Sequence, residues 1–150
     1  ERSYSKWGAY GQSKLANLLF THELARRAGE AAPHLRAVAC HPGYSATNLA
    51  AVGPQMEGAA LTGRLMDLAG ATVAQSAEMG ALPTLRAAVD EKARSGDYFG
   101  PGGPGEIWGY PTLVQPLARA REAEAMAGLW EASVALTGAD YAALSPVGAS

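Results

Sequence analysis

The 150-residue sequence is 48% hydrophobic and 17% charged, enough apolar material for one compact domain and too much for a disordered tail. Twelve Lys and Arg against 14 Asp and Glu leave a formal net charge of −2 with no run of five like charges, which excludes the basic stripe that a nucleic-acid groove needs. The most apolar stretch, residues 58–74, is broken by Arg64 and Asp67 and falls short of a membrane span. Cys40 is the single cysteine, so there is no internal disulfide framework, and a reducing compartment, the cytoplasm, is expected.

Residues 9–28 are predicted as a helix, because Leu15, Leu18, Leu19 and Leu24 recur at helical spacing and Gly29 stands where a C-terminal cap belongs. Ser3 and Ser5 ahead of it read as loop residues. After Pro33, the apolar run 35–40 reads as a strand with Cys40 a packed thiol. His41-Pro42-Gly43 ends it, since proline cannot continue a ladder and glycine permits a sharp turn. Residues 44–57 read as a loop of small and polar residues. Helices are predicted at 59–69 and 76–91, the second with Leu82, Leu85, Arg86 and Val89 on one face. Residues 95–99 turn into a short strand. Residues 100–105, four glycines and two prolines, read as an irregular surface loop. A last helix is predicted over 116–136, with Met126, Leu129, Trp130 and Val134 as an apolar stripe.

Strands alternating with helices imply an α/β fold with a parallel sheet covered on both faces. Two strands do not complete such a sheet, and the chain opens at Glu1 almost directly into a patterned segment. Both features carry the expectation that residues lie upstream.

The constellation that bears on chemistry is Tyr10-Gly11-Gln12-Ser13-Lys14. Residues four apart share a helix face, so a phenol and an ammonium are brought together. A phenol ordinarily titrates near about 10, and a neighbouring cation favours its ionised form. Such a phenol can pass a proton to a carbonyl oxygen or take one from an alcohol. The plain alternative is an exposed lysine beside a partly buried tyrosine on an ordinary helix.

The wider pattern favours the chemical reading. Ala-Tyr-Gly-Gln-Ser-Lys-Leu-Ala-Asn-Leu-Leu-Phe at 9–20 resembles the active-site helix of short-chain dehydrogenases/reductases, especially their retinol-dehydrogenase-like branch. His-Glu-Leu-Ala-Arg-Arg at 22–27 is similar to its continuation. His41-Pro42-Gly43 followed by Thr47 resembles the family's Pro-Gly turn. Gly96-Asp97-Tyr98-Phe99-Gly100-Pro101 resembles its last strand, and residues 127–133 its terminal helix.

The resemblance implies a doubly wound, Rossmann-like parallel sheet, of which residues 1–150 supply the C-terminal half of a single domain. It implies an oxidoreductase that transfers a hydride between NAD or NADP and a carbonyl or secondary alcohol. In that reading Tyr10 is the catalytic acid/base. Lys14 assists the phenol and hydrogen-bonds the nicotinamide ribose. Pro42 and Gly43 shape the turn under the nicotinamide, and Thr47 holds the carboxamide. The segment from 48 to about 69 is expected to form a substrate lid, and a homo-oligomer is plausible. The family's glycine-rich phosphate turn and its catalytic serine have no counterpart here, so a complete site needs residues upstream. The rivals are a cofactor-binding sensor of the same fold without catalysis, and a nucleotide-sugar epimerase or dehydratase.

Other side chains add less. His22, His34 and His41 lack metal-ligand spacing. His22 reads as a helix-surface residue, and His41 either packs or approaches the cofactor. No Gly-x-Ser-x-Gly elbow occurs. Trp7 and Trp130 read as core or interface anchors, while Trp108 follows the Gly/Pro loop and reads as core or pocket lining.

Overall fold

The structure is a computed structural model that describes residues 4–45, 74–139 and 141–144. The predicted helix at 59–69 and Thr47 lie outside the described residues.

Helix α1 spans Lys6–Ala31, longer than expected at both ends. Ser5 is not a loop residue but the N-cap: it holds an extended backbone and its hydroxyl accepts the Gly8 N–H at 3.2 Å, satisfying one of the donors a helix start leaves orphaned. Strand β1, Ala39–Cys40, is shorter than the predicted run at 35–40. The N–H of Leu35 closes a turn on the Ala32 carbonyl at 2.9 Å, and that of Ala37 is taken by the Ser95 hydroxyl at 3.1 Å. Neither donor is left for a ladder.

Helix α2 is Ala77–Val89, capped by Ser76, whose hydroxyl accepts from Met79 N–H. Strands β2, Tyr98–Pro101, and β3, Pro111–Leu113, follow. The last long helix divides into a 3-10 turn, Ala118–Arg121, and helix α3, Ala123–Thr137, which ends at Gly138 in the left-handed conformation. The three strands lie in the order β1-β2-β3. β1 and β2 run in parallel sense, with N–H groups of Ala39 and His41 donating to Asp97 and Phe99 carbonyls at 2.9 Å. β3 is antiparallel to β2, pairing Phe99 with Leu113, Gly100 with Thr112 and Pro101 with Pro111. The sheet is therefore mixed, where an all-parallel one was expected. Gly100 and Pro101, expected in a surface loop, are buried in β2.

The chain divides into two compact units. The first comprises Glu1–Ala39, Lys92–Tyr98 and Gln115–Ser150. Its core gathers on Trp130 of α3, which is almost fully buried. Phe20 of α1 stacks on the indole at 5.4 Å between ring centroids, Tyr141 meets it at 4.7 Å, and the Arg27 guanidinium lies 4.7 Å from its centroid. Arg27 also pairs with the buried Glu23 at 2.7 Å, and Arg26 reaches the same carboxylate oxygen at 2.8 Å. These contacts keep the Glu23 carboxyl below the ordinary 4.5, the Arg26 hydrogen bond chief among them. His22 is buried at 8% exposure, contrary to the expected surface position, and its Nε2 has no hydrogen-bond partner among the described residues. Desolvation, and after it the charge of Arg121, holds His22 below its ordinary 6.5.

The second unit comprises Cys40–Glu91 and Phe99–Val114. Phe99 is its most enclosed large side chain, with the Arg86 guanidinium 5.1 Å from the ring centroid. Arg86 also donates to the Pro111 carbonyl at 2.6 Å and pairs with Asp90 at 3.0 Å. The predicted face of α2 is not the buried one: Leu85 and Val89 are exposed, and Gly80 and Pro83 are enclosed. The hydroxyl of Ser45 fills the space where Gly80 lacks a Cβ, so close approach and not apolar bulk decides that face. Cys40 is half-buried, its Sγ 3.5 Å from Thr84 Oγ1.

Two outcomes are expected for the full-length protein in urea unfolding. Trp130→Ala should cost about 3–5 kcal/mol; a loss under 1 kcal/mol would deny Trp130 its central place. Stability should also fall with acidification. The His22 pKa is lower folded than unfolded, so below 6.5 the unfolded chain takes up the proton first. The Glu23 contribution is present above 4.5 and is lost as pH falls through the still lower folded value. His22→Leu should flatten the first part of that decline and leave the second.

Candidate functional site

Tyr10 and Lys14 stand in the first half of α1. The Ser5 cap places a full turn of helix ahead of Tyr10, which fixes the four-residue spacing onto one face. Lys14 Nζ lies 5.2 Å from the Tyr10 ring centroid, within the range of a cation–π contact. Tyr10 is 48% exposed and Lys14 is exposed. Among the described residues nothing lies within 4 Å of the position a Cβ would take at Gly11, so they leave the helix surface next to Tyr10 open. Trp7 packs edge-on to Tyr10 at 6.4 Å and is itself exposed. Ser13 Oγ donates to the Tyr10 carbonyl at 2.7 Å, which accounts for it within the helix.

Pro42 and Gly43 belong to the second unit. Gly43 adopts φ 66, the left-handed region, and a Cβ there would lie 2.5 Å from the Ile107 carbonyl oxygen and 2.7 Å from Pro101 Cγ. Glycine is therefore demanded by backbone conformation and by packing against 107. The Tyr44 N–H donates to that Ile107 carbonyl at 2.8 Å.

Three further side chains hold the turn. His41 accepts the Gly43 N–H on Nδ1 at 3.2 Å, and its Nε2 lies 3.0 Å from Glu106 Oε2. Gln75 is buried; its amide nitrogen donates to the Pro42 carbonyl at 2.6 Å and its amide oxygen accepts the Gly109 N–H at 3.0 Å. The backbone N–H of Gln75 donates to Tyr44 O at 2.9 Å, and Ser45 Oγ also donates to the Pro42 carbonyl at 3.0 Å. Gln75 and Glu106 escaped the sequence reading. Both act over long sequence separation, and only the backbone of the intervening chain brings them to the turn.

The glycine-rich loop after β2 closes on itself. Gly102 and Gly103 donate to the carbonyls of Tyr110 and Trp108 at 2.9 Å, and Trp108 and Tyr110 remain exposed. Among the described residues no cluster of His, Cys, Asp and Glu is arranged to hold a metal ion, and no helix is long and apolar enough to cross a membrane.

No family profile matches the chain. Over 46 residues it is 48% identical to the chloroplastic short-chain dehydrogenases TIC 32 A and TIC 32 B of Brassica napus, covering 31% of this chain and 14% of each relative. The partial likeness supports the short-chain dehydrogenase family. The crystal structure of an uncharacterized protein from Mycobacterium paratuberculosis superposes with a TM-score of 0.65 at 38% identity, covering 93% of this chain and 43% of that one. The chain thus spans under half the length of that structure. Its helices and mixed sheet are compatible with an α/β fold.

Gln75→Leu removes the partner of the Gly109 N–H and one donor to the Pro42 carbonyl. It should lower stability by about 2 kcal/mol, the scale of a buried polar group left unpaired, measured by urea unfolding of the full-length protein. A change within 0.5 kcal/mol, on the order of a surface substitution, would show that the turn holds without the Gln75 amide.

Proposed function

We propose that the chain is the C-terminal half of a doubly wound short-chain dehydrogenase/reductase that uses NAD or NADP on a small or medium-sized carbonyl or secondary alcohol. The observation that carries this is the exposed pairing of Tyr10 with Lys14 on α1, with Nζ 5.2 Å from the ring centroid, in a chain partly alike to short-chain dehydrogenases.

The residues present fit a nicotinamide dinucleotide. An exposed hydroxyl and an exposed ammonium share one face beside an open stretch of helix surface. In this reading Tyr10 and Lys14 hold the nicotinamide ribose, the Pro42–Gly43 turn supports the nicotinamide, and Thr47 engages its carboxamide. A bound nicotinamide would supply or accept hydride. Tyr10 Oη gives its proton to the carbonyl oxygen during reduction and recovers one from the alcohol during oxidation. Lys14 holds its ammonium 5.2 Å from the Tyr10 ring centroid, and in this reading it hydrogen-bonds the ribose beside the phenol. The retinol-dehydrogenase-like branch is the reading favoured by the residues at 9–20.

Tyr10→Phe in the full-length protein should lower kcat by roughly 10²- to 10⁴-fold, the usual worth of a positioned acid/base, with the dissociation constant of the cofactor nearly unchanged. Steady-state turnover with both cofactors and cofactor titration by fluorescence read the two quantities. Retained turnover would remove Tyr10 as the proton donor.

A further inference from the structure

His41 is bonded at both ring nitrogens, and the two bonds constrain its chemistry. Nδ1 faces the Gly43 N–H, a fixed donor, so Nδ1 carries no hydrogen and acts as acceptor. The ring proton then sits on Nε2 and is donated to Glu106 Oε2 at 3.0 Å. The side chain of His41 accepts from the backbone two residues on, the same bond that an Asx turn makes.

The surroundings enforce this pose. A Cβ at Gly100 would fall on the imidazole, so the ring lies directly over a residue that leaves it room. Among the described residues Glu106 is the non-glycine residue at positive φ, 58, and it follows Gly105 at φ 62. A left-handed glutamate is strained, because its Cβ crowds the following carbonyl. His41 and Glu106 are both partly exposed, and an exposed ion pair contributes little to stability. The strain therefore is not offset by the pair as a stabilising contact. What the pair does supply is the tautomer: with the proton held on Nε2 by Glu106, Nδ1 stays an acceptor for the turn.

We propose that Glu106 and His41 form a positioning pair that fixes the imidazole tautomer and thereby the geometry of the Pro42–Gly43 turn that supports the nicotinamide. This inference rests on the dehydrogenase reading for its consequence, and on the hydrogen-bond geometry alone for the pair itself. Neither residue touches reacting atoms; both act through Gly43.

The test uses the full-length protein and four variants. Glu106→Gly suits φ 58 and removes the carboxylate, so its unfolding temperature should stay level or rise. Its His41 ¹⁵N chemical shifts should move from the pure Nε2–H pattern toward a tautomer mixture. Cofactor KM should rise roughly three- to tenfold, the scale of one hydrogen bond, with a smaller effect on kcat. His41→Asn keeps an acceptor for the Gly43 N–H and should stay near the wild-type KM, whereas His41→Leu should show the full rise. Gly100→Ala displaces the ring and should behave like His41→Leu. The proposal is overturned if Glu106→Gly leaves the tautomer pattern and KM unchanged, or if His41→Asn is as impaired as His41→Leu. A wild-type protein that binds neither NAD nor NADP sinks the dehydrogenase reading instead, and the ¹⁵N pattern of wild type against Glu106→Gly then decides the pair.

Discussion

The second unit depends on one backbone constraint, the left-handed Gly43 seated against the Ile107 carbonyl. Because φ is 66 and the Cβ position is occupied by backbone and by Pro101, no other residue fits without moving the 101–107 chain. Pro42 ahead of it fixes its own φ and contributes no N–H. The turn therefore has few internal degrees of freedom and must be held by its neighbours. Gln75, Ser45 and His41 each provide a hydrogen bond to it or from it, and the next residue, Tyr44, is tied by its backbone to Ile107 and Gln75. The order of causes runs from a tripeptide that cannot continue a strand, to a turn that admits only glycine, to a set of polar groups that satisfy it.

In the first unit the corresponding anchor is Trp130. α1 is tied down by Phe20, Glu23 and Arg27 in its second half, while Trp7 and Tyr10 in its first half are exposed. The helix is thus rigid where it is buried and available where Tyr10 stands. Arg27 joins the two aspects of that anchor, since one guanidinium both neutralises the buried Glu23 and covers the indole face. Burial of a carboxylate is costly unless it is paired and hydrogen-bonded, and Glu23 meets both conditions through Arg26 and Arg27.

Much of this was legible in the sequence where the cause is local. The helices at 9–28 and 76–91 follow from periodicity, the short strand reached through 95–99 follows from the turn ahead of it, and Ser76 caps its helix by a contact three residues away. The errors have local causes as well. Ser5 was read as loop because the apolar pattern starts only at Leu15, whereas the cap is set by one hydroxyl. Residues 100–105 were read as surface from their glycine and proline content, yet Gly100 and Pro101 extend β2. The helix expected at 116–136 covers most of α3, and its stripe holds the buried Met126 and Trp130, but its span runs over Glu122, where the backbone is extended and the 3-10 turn ends. His22 fell on the wrong side because a histidine in a charged stretch reads as solvent-facing, and the burial that excludes its charge comes from packing in the folded unit.

The same distinction separates the Tyr10–Lys14 pair from the Pro42–Gly43 turn. Tyr10 and Lys14 are four apart on a helix, so secondary structure alone brings them together, and a sequence reader can find them. The partners of the Pro42–Gly43 turn are 33 residues away for Gln75 and 65 for Glu106, and no periodicity links them. Glu106 is the harder case, because its sequence context of glycines and prolines signals a loop and says nothing of where a carboxylate will point. Its positive φ is the one trace that the loop is constrained by more than its own turn chemistry. Strain of that kind persists where surrounding contacts over-determine the backbone, and here the contact that singles out Glu106 is the imidazole whose other nitrogen holds Gly43.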